Sequence, residues 1–205
     1  MTSQTDLFAP VLAPVTLDLP RAQLTYYPAW LASCKASELL AVLSEQLQWS
    51  QPSIHIVGKR VPIPRLQAWY GDAGAVMRYS GISLPPLDWH PSLLSLRQQL
   101  QADLGQTFNS VLANLYRNGN DSMGWHADNE KELGERPFIA SLSLGQARRF
   151  SFKPRFDGAK RVDLVLNHGD MLTMGGDTQE HWHHAIPKTK EEIGARINLT
   201  YRLIK

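Results

Sequence analysis

The sequence has 205 residues, 43% hydrophobic and 20% charged, the proportions of a soluble globular chain long enough to bury a core in one domain. A formal charge of +2 does not announce nucleic acid, no apolar run is long enough to span a bilayer, and the polar start MTSQTD is not a signal peptide. One cysteine, Cys34, excludes an internal disulfide framework; it is expected as a buried or half-buried thiol in a reducing compartment, cytoplasmic or nuclear.

Residues 1–22 carry three prolines and no helical periodicity, which predicts a loosely held arm before a single domain over 23–205. The stretch SCKASELLAVLSEQLQW places Leu39, Leu40, Val42, Leu43 and Leu47 on one helical face, with Ser33 or Ser37 as the cap. Next comes HIVGKRVPIPRLQAWYGDAGAVMRYSG, rich in Gly, Pro and aromatics, which reads as hairpins rather than core. A second helix follows at HPSLLSLRQQLQADLG, with Pro91 in its first turn, a stripe of Leu93, Leu96, Leu100 and Leu104, and Gly105 as its stop.

From residue 111 the apolar period shortens. Strands are predicted at VLANLYR, PFIASLSLG, RRFSFKP, VDLVLN, DMLTM, HWHHAI and ARINLTYRLI. Helices first and short strands after give an α+β chain whose second part is a sandwich or jelly roll.

Within SMGWHADNEK, His126 and Asp128 stand at i and i+2, so an extended backbone points both to one face. A third ligand must come from elsewhere, and EHWHHAIP offers His181, His183 and His184, among which spacing does not choose. Two His and one carboxylate leave the far side of an ion open, the ligand set of non-haem Fe(II) oxygenases; zinc suits the set less naturally. The last strand alternates, with Arg196, Asn198, Thr200 and Arg202 on one face and Ile197, Leu199, Tyr201 and Leu203 on the other. Its two arginines, about 20 Å apart along the strand, could hold the ends of a short dianion, with Asn114 and Tyr116 as neutral donors. 2-Oxoglutarate, with two carboxylates and a keto oxygen, answers both halves of this site. The competing reading of that face is an ordinary solvent-exposed one.

The motifs GWHADNE, SLSLG, NHGDMLTMGG, HWHHAIP and ARINLTYR, with PRLQAWYGDAG and GQTFNSVLANLYRNG upstream, resemble the AlkB family of Fe(II)/2-oxoglutarate dioxygenases over roughly residues 57–204, particularly its nucleic-acid-repair members. The resemblance implies a double-stranded β-helix (jelly roll) core with N-terminal helices and a β-hairpin nucleotide-recognition lid over roughly 54–82. It implies His126, Asp128 and His184 as iron ligands, and Asn114, Tyr116, Arg196, Asn198 and Arg202 as the 2-oxoglutarate site, with O₂ as co-substrate. Its activity would be oxidative demethylation of 1-methyladenine or 3-methylcytosine in DNA, releasing formaldehyde, succinate and CO₂. Tyr79 and His126 would flank the flipped base, Glu130 would lie near its exocyclic edge, and Trp69 is a further wall.

ARRFSFKPRFDGAKR offers Arg148, Arg149, Lys153, Arg155, Lys160 and Arg161 against Asp157, a candidate nucleic-acid backbone contact, with Lys59, Arg60, Arg65, Lys188 and Lys190 as secondary ones. Val57 stands where duplex-acting relatives carry an aromatic finger, and Met77 where they carry a pocket Tyr. Single- or double-stranded DNA, or RNA, is left open. A monomer without membrane contact is expected. A relative acting on RNA or protein side chains is the alternative, and a non-catalytic nucleic-acid-binding module the remaining one.

Overall fold

The structure is a computed structural model and describes residues 12–56, 58–79 and 82–205, with Ile56, Met77–Tyr79 and Ile82–Leu84 described by their backbone alone. Val57 lies outside the described residues. So do the first eleven residues of the expected arm. The chain begins with β1 (Val15–Leu17), β2 (Gln23–Tyr27) and helix α1 (Ser33–Gln46). Five short strands follow: β3 (Ser53–Ile56), β4 (Lys59–Pro62), β5 (Leu66–Gly71), β6 (Met77–Tyr79) and β7 (Ile82–Leu84). Helix α2 (Pro91–Leu104) precedes β8 (Ser110–Tyr116), β9 (Met123–His126), β10 (Ile139–Gly145) and β11 (Arg148–Pro154). The remainder is β12 (Val162–Leu166), β13 (Met171–Gly175), the one-turn helix α3 (Thr178–His181), β14 (Trp182–Ile186) and β15 (Arg196–Arg202).

Two antiparallel sheets carry the architecture, one ordered β1-β2-β13-β10-β15-β8-β5 and the other β12-β11-β14-β9. Strand parity sorts the side chains into layers. Val111, Ala113, Ala140, Leu142, Ile197, Leu199 and Tyr201 face α1 and α2, which lay Leu39, Leu43, Leu93, Leu96 and Leu100 against them. The opposite parity of the large sheet meets Phe150, Phe152, Leu166 and Trp182 of the small one in a second apolar cluster. The site lies between the sheets, beyond the end of that cluster, where the inward parity turns polar. No helix among the described residues is long and apolar enough to cross a membrane.

Several expectations are corrected. The arm is not loose over its described part: β1 pairs with β2, β2 with β13, and Pro20 accepts a bond from the buried Trp182 indole (2.9 Å). Proline hides strand character, because its missing N–H is tolerated at an edge and reads as loop. The middle region is not hairpins throughout; β5 pairs with β8 and buries Ala68 and Tyr70. Among the described residues, β3–β4 and β6–β7 form separate two-stranded sheets. Ala32, not Ser33 or Ser37, occupies the N-cap of α1, with no side-chain cap bond. Cys34 is exposed, since Ala36, Leu39 and Leu43 supply the buried stripe of that helix. The second helix matches its prediction closely, with Pro91 at its start and Gly105 left-handed at φ 62° as its stop.

Candidate metal centre

His126 ends β9 and His184 lies directly across from it on β14. One extra residue bulges β9 between Met123 and His126, which lets side chains three apart both line the same cavity. Asp128 follows in the loop, its backbone N–H held by Gln179 Oε1 (3.0 Å). The ligand atoms of His126, Asp128 and His184 all lie within 4.8 Å of one another, a group that could hold a metal ion. Register thus selects His184. His183, at opposite parity, pairs across from Lys153, and His181 packs edge-on to Phe156.

Each member is in a ligand-ready state. His126 donates from Nδ1 to the Gly124 carbonyl (2.9 Å), which turns Nε2 toward Asp128 Oδ1, 3.7 Å away. Burial pushes the His184 imidazole down to about 3, so it is neutral, stacked on Phe150. Burial alone would raise the Asp128 carboxyl, but the positive charge of Arg202, foremost among the neighbours that oppose burial, holds it below its ordinary value. Arg202 Nη1 is 3.7 Å from its Oδ1.

The face of β15 read as either dianion-binding or solvent-exposed is fully enclosed. Arg196 and Arg202 are each only 1% exposed. Among the described residues, Nε and Nη1 of Arg196 and Nε and Nη2 of Arg202 are buried with no hydrogen-bond partner. Arg196 donates to Ser143 Oγ (2.9 Å), interacts with the Tyr116 side chain and lies over its ring; burial pulls its guanidinium down to about 10. Arg202 sits over Trp69, whose indole N–H is also buried without a partner. Arg202 has Asp128 beside it at 3.7 Å, yet both arginines keep buried N–H groups without an acceptor among the described residues, which is costly and makes the pair chemically complementary to a dianion.

The remaining predicted residues divide. Asn114 and Asn198 line the cavity with Tyr116. Asn114 accepts at Oδ1 from Arg65 Nε (2.9 Å), so its amide N–H₂ is the end available to a ligand. Asn198 donates to Ser141 Oγ (2.8 Å) and the Leu142 carbonyl and accepts from Thr200, which makes it an organiser of the polar face. Glu130 is half-buried, with Oε2 unpartnered among the described residues; burial raises its carboxyl, and Arg202 opposes that shift. Side chains of Met77 and Tyr79 lie outside what is described.

The basic run is not one surface. Arg148 is 4% exposed and donates to the carbonyls of Asn118, Asp121 and Pro187, with its guanidinium over Tyr116. It is an internal clamp, and the expectation of nucleic-acid contact is corrected for it. Arg155 bonds the Glu180 carbonyl, while Arg161 pairs with Asp163 at 3.0 Å and Arg149 lies 3.8 Å from it. Arg149, Lys153, Arg155, Lys160 and Arg161 remain exposed. Arg148→Ala is therefore expected to destabilise the fold by about 2–4 kcal/mol in urea unfolding, because three buried carbonyls lose a charged donor. Arg149→Ala should leave the unfolding midpoint within about 0.5 kcal/mol of the parent.

Sequence reasoning did not single out Ser141, Ser143 or Gln179. The alternation in SLSLG carried a signal for the serines, since hydroxyls at inward parity within an apolar strand require partners.

The 2OG-Fe(II) oxygenase superfamily profile matches residues 23–202. Human alpha-ketoglutarate-dependent dioxygenase alkB homolog 3 (Homo sapiens) is 39% identical over 191 residues, covering 87% of this chain and 65% of its own length. DNA oxidative demethylase ALKBH2 of Mus musculus is 36% identical over 188 residues, covering 87% of this chain and 79% of its own. The chain thus spans slightly less than two thirds of the human and bovine homolog 3 proteins, 65% and 64% respectively. The solved structure of OsALKBH1 has the same fold, with a TM-score of 0.64 at 17% identity over 91% of this chain and 99% of that one. With its profile match, its curated relatives and its His-Asp-His group in agreement, the chain belongs to the AlkB family of the 2OG-Fe(II) oxygenase superfamily.

Proposed function

We propose that the chain is an oxidative demethylase of N-alkylated bases in nucleic acid, 1-methyladenine and 3-methylcytosine in DNA foremost. The observation that carries this reading is a His-Asp-His group whose ligand atoms lie within 4.8 Å of one another, set beside two buried guanidiniums that each keep two nitrogens without a hydrogen-bond partner among the described residues. The two sheets serve as a double-stranded β-helix, and the hairpins β3–β4 and β6–β7 as the nucleotide lid.

His126, Asp128 and His184 would hold Fe(II), leaving positions open for co-substrate and O₂. Arg202, beside Asp128, suits the 2-oxoglutarate carboxylate nearest the metal. Arg196, with Tyr116 and Ser143 around it, suits the far carboxylate. Bound together, iron, 2-oxoglutarate and O₂ supply the oxidising power that hydroxylates an N-methyl group, which then leaves as formaldehyde while the co-substrate becomes succinate and CO₂. Leu112, Met123, Phe150, Met174 and Ile186 wall the cavity and exclude water. Glu130, whose Oε2 is buried without a partner among the described residues, would accept from the exocyclic amino group of a cationic methylated base, with Trp69, under Arg202, as a further wall. Such a base pairs poorly and is cheap to extrude. The similarity to ALKBH2, a DNA oxidative demethylase, supports DNA as the polymer.

The test is formaldehyde release from oligonucleotides carrying 1-methyladenine or 3-methylcytosine, with Fe(II), ascorbate and 2-oxoglutarate. Release by the parent protein is expected. Turnover of 2-oxoglutarate without release from any DNA would move the substrate to RNA or protein, and absence of both would sink the enzyme reading.

A further inference from the structure

Trp125 immediately precedes the metal-site residue His126 and is turned outward, 42% exposed, one of few large apolar side chains so placed. The β9 bulge that directs Met123 and His126 inward presents Trp125 on the other side of the same strand. No packing need explains it, since neither apolar cluster between or beneath the sheets includes it. Arg161 lies over its ring, 5.3 Å from the centroid.

Two hollows meet at this ring. One runs past Trp125, Arg149, Arg161 and Lys188, and the other past Trp125, Lys153 and Arg161. Met123, Ala185 and Ile186 line both the first hollow and the central cavity, so a thin wall separates the two. Four cations thus surround an exposed indole, with Asp163 as the acid pairing two of them.

We infer that Trp125 is a stacking platform for an unpaired nucleotide next to the target base, with Arg149, Lys153, Arg161 and Lys188 taking the flanking phosphates. This rests on the nucleic-acid reading above and deepens it to single-stranded substrate. An aromatic ring between cations accepts any base by its π-face, which is how sequence-tolerant single-strand sites are built. In a duplex the neighbouring base stays stacked on its own partners and cannot use the ring. The outer face of a four-stranded sheet, rather than the lid, then selects strand state.

The test is binding by the full chain, loaded with Mn(II) and 2-oxoglutarate, of unmodified labelled oligothymidine about a dozen nucleotides long, alone and annealed. Trp125→Ala should weaken single-strand binding about tenfold and leave duplex binding unmoved, and Trp125→Phe should restore most of the loss. Arg149→Gln should flatten the salt dependence by about 0.7 in log–log slope. Single-strand binding indifferent to Trp125→Ala, or an equal loss on duplex, overturns the inference, and demethylation could then still proceed. Trp125-dependent binding by a protein that demethylates no base would instead overturn the enzyme reading and leave the platform standing.

Discussion

His126→Ala is expected to abolish metal-dependent stabilisation and to lower 2-oxoglutarate turnover by more than about 100-fold, the loss that removing a mere supporting partner of a metal ligand can already reach. His126 is the informative member of the triad because it is the least enclosed. Its side-chain hydrogen bond among the described residues is to its own strand, from Nδ1 to the Gly124 carbonyl, so the variant should fold. Asp128→Ala is a poorer probe, since it removes the carboxylate beside the buried Arg202 and confounds metal loss with an uncompensated charge. The check is a melting curve with and without Mn(II). Saturating metal at about 100 times its Kd stabilises the parent by about 2.7 kcal/mol, and the same concentration should leave the variant unmoved. A variant that still responds to metal would show that the three side chains are not the ligands.

The features that were legible in the sequence are those set by local periodicity. The last strand announced both of its faces by alternation, and α2 announced both of its ends through Pro91 and Gly105. The third ligand was not legible from spacing, because His183 and His184 differ only in parity. Which parity faces inward is fixed by pairing with β9, nearly sixty residues earlier in the chain. Arg148 was misassigned for the opposite reason: its local signal was overlooked. It shares parity with Phe150 and Phe152, which are buried, whereas Arg149 and Lys153 share the outward parity. β2 left no such trace, since its place beside β13 depends on a contact with the far end of the chain.

Arg196→Met carries the sharpest consequence, because it should separate a buried charge reserved for a ligand from one that holds the fold. Arg148 and Arg196 are both enclosed and both lie over Tyr116. Arg148 donates to three carbonyls, whereas Arg196 meets the side chains of Ser143 and Tyr116 and leaves two buried nitrogens unpartnered among the described residues. Burial has already pulled the Arg196 guanidinium down to about 10, the expected response of a charge lacking a counter-ion. Replacing it with an apolar side chain of similar reach should therefore leave the co-substrate-free protein as stable as the parent, or more stable by about 1–4 kcal/mol. The same change should weaken 2-oxoglutarate binding by about 2–5 kcal/mol, or roughly 30-fold to several thousand-fold, since one carboxylate would be buried without its partner. Calorimetric titration in Mn(II) gives the affinity, and urea unfolding with and without 2-oxoglutarate gives both stabilities. The parent should gain stability from the co-substrate, and the variant should not. A co-substrate-free Arg196→Met protein weakened as much as Arg148→Ala would assign Arg196 to the scaffold. An unchanged affinity would place the dianion elsewhere. The expected pattern, greater stability with lost affinity, would identify the unpartnered guanidinium of Arg196 as the cost of a site built to be completed by its co-substrate.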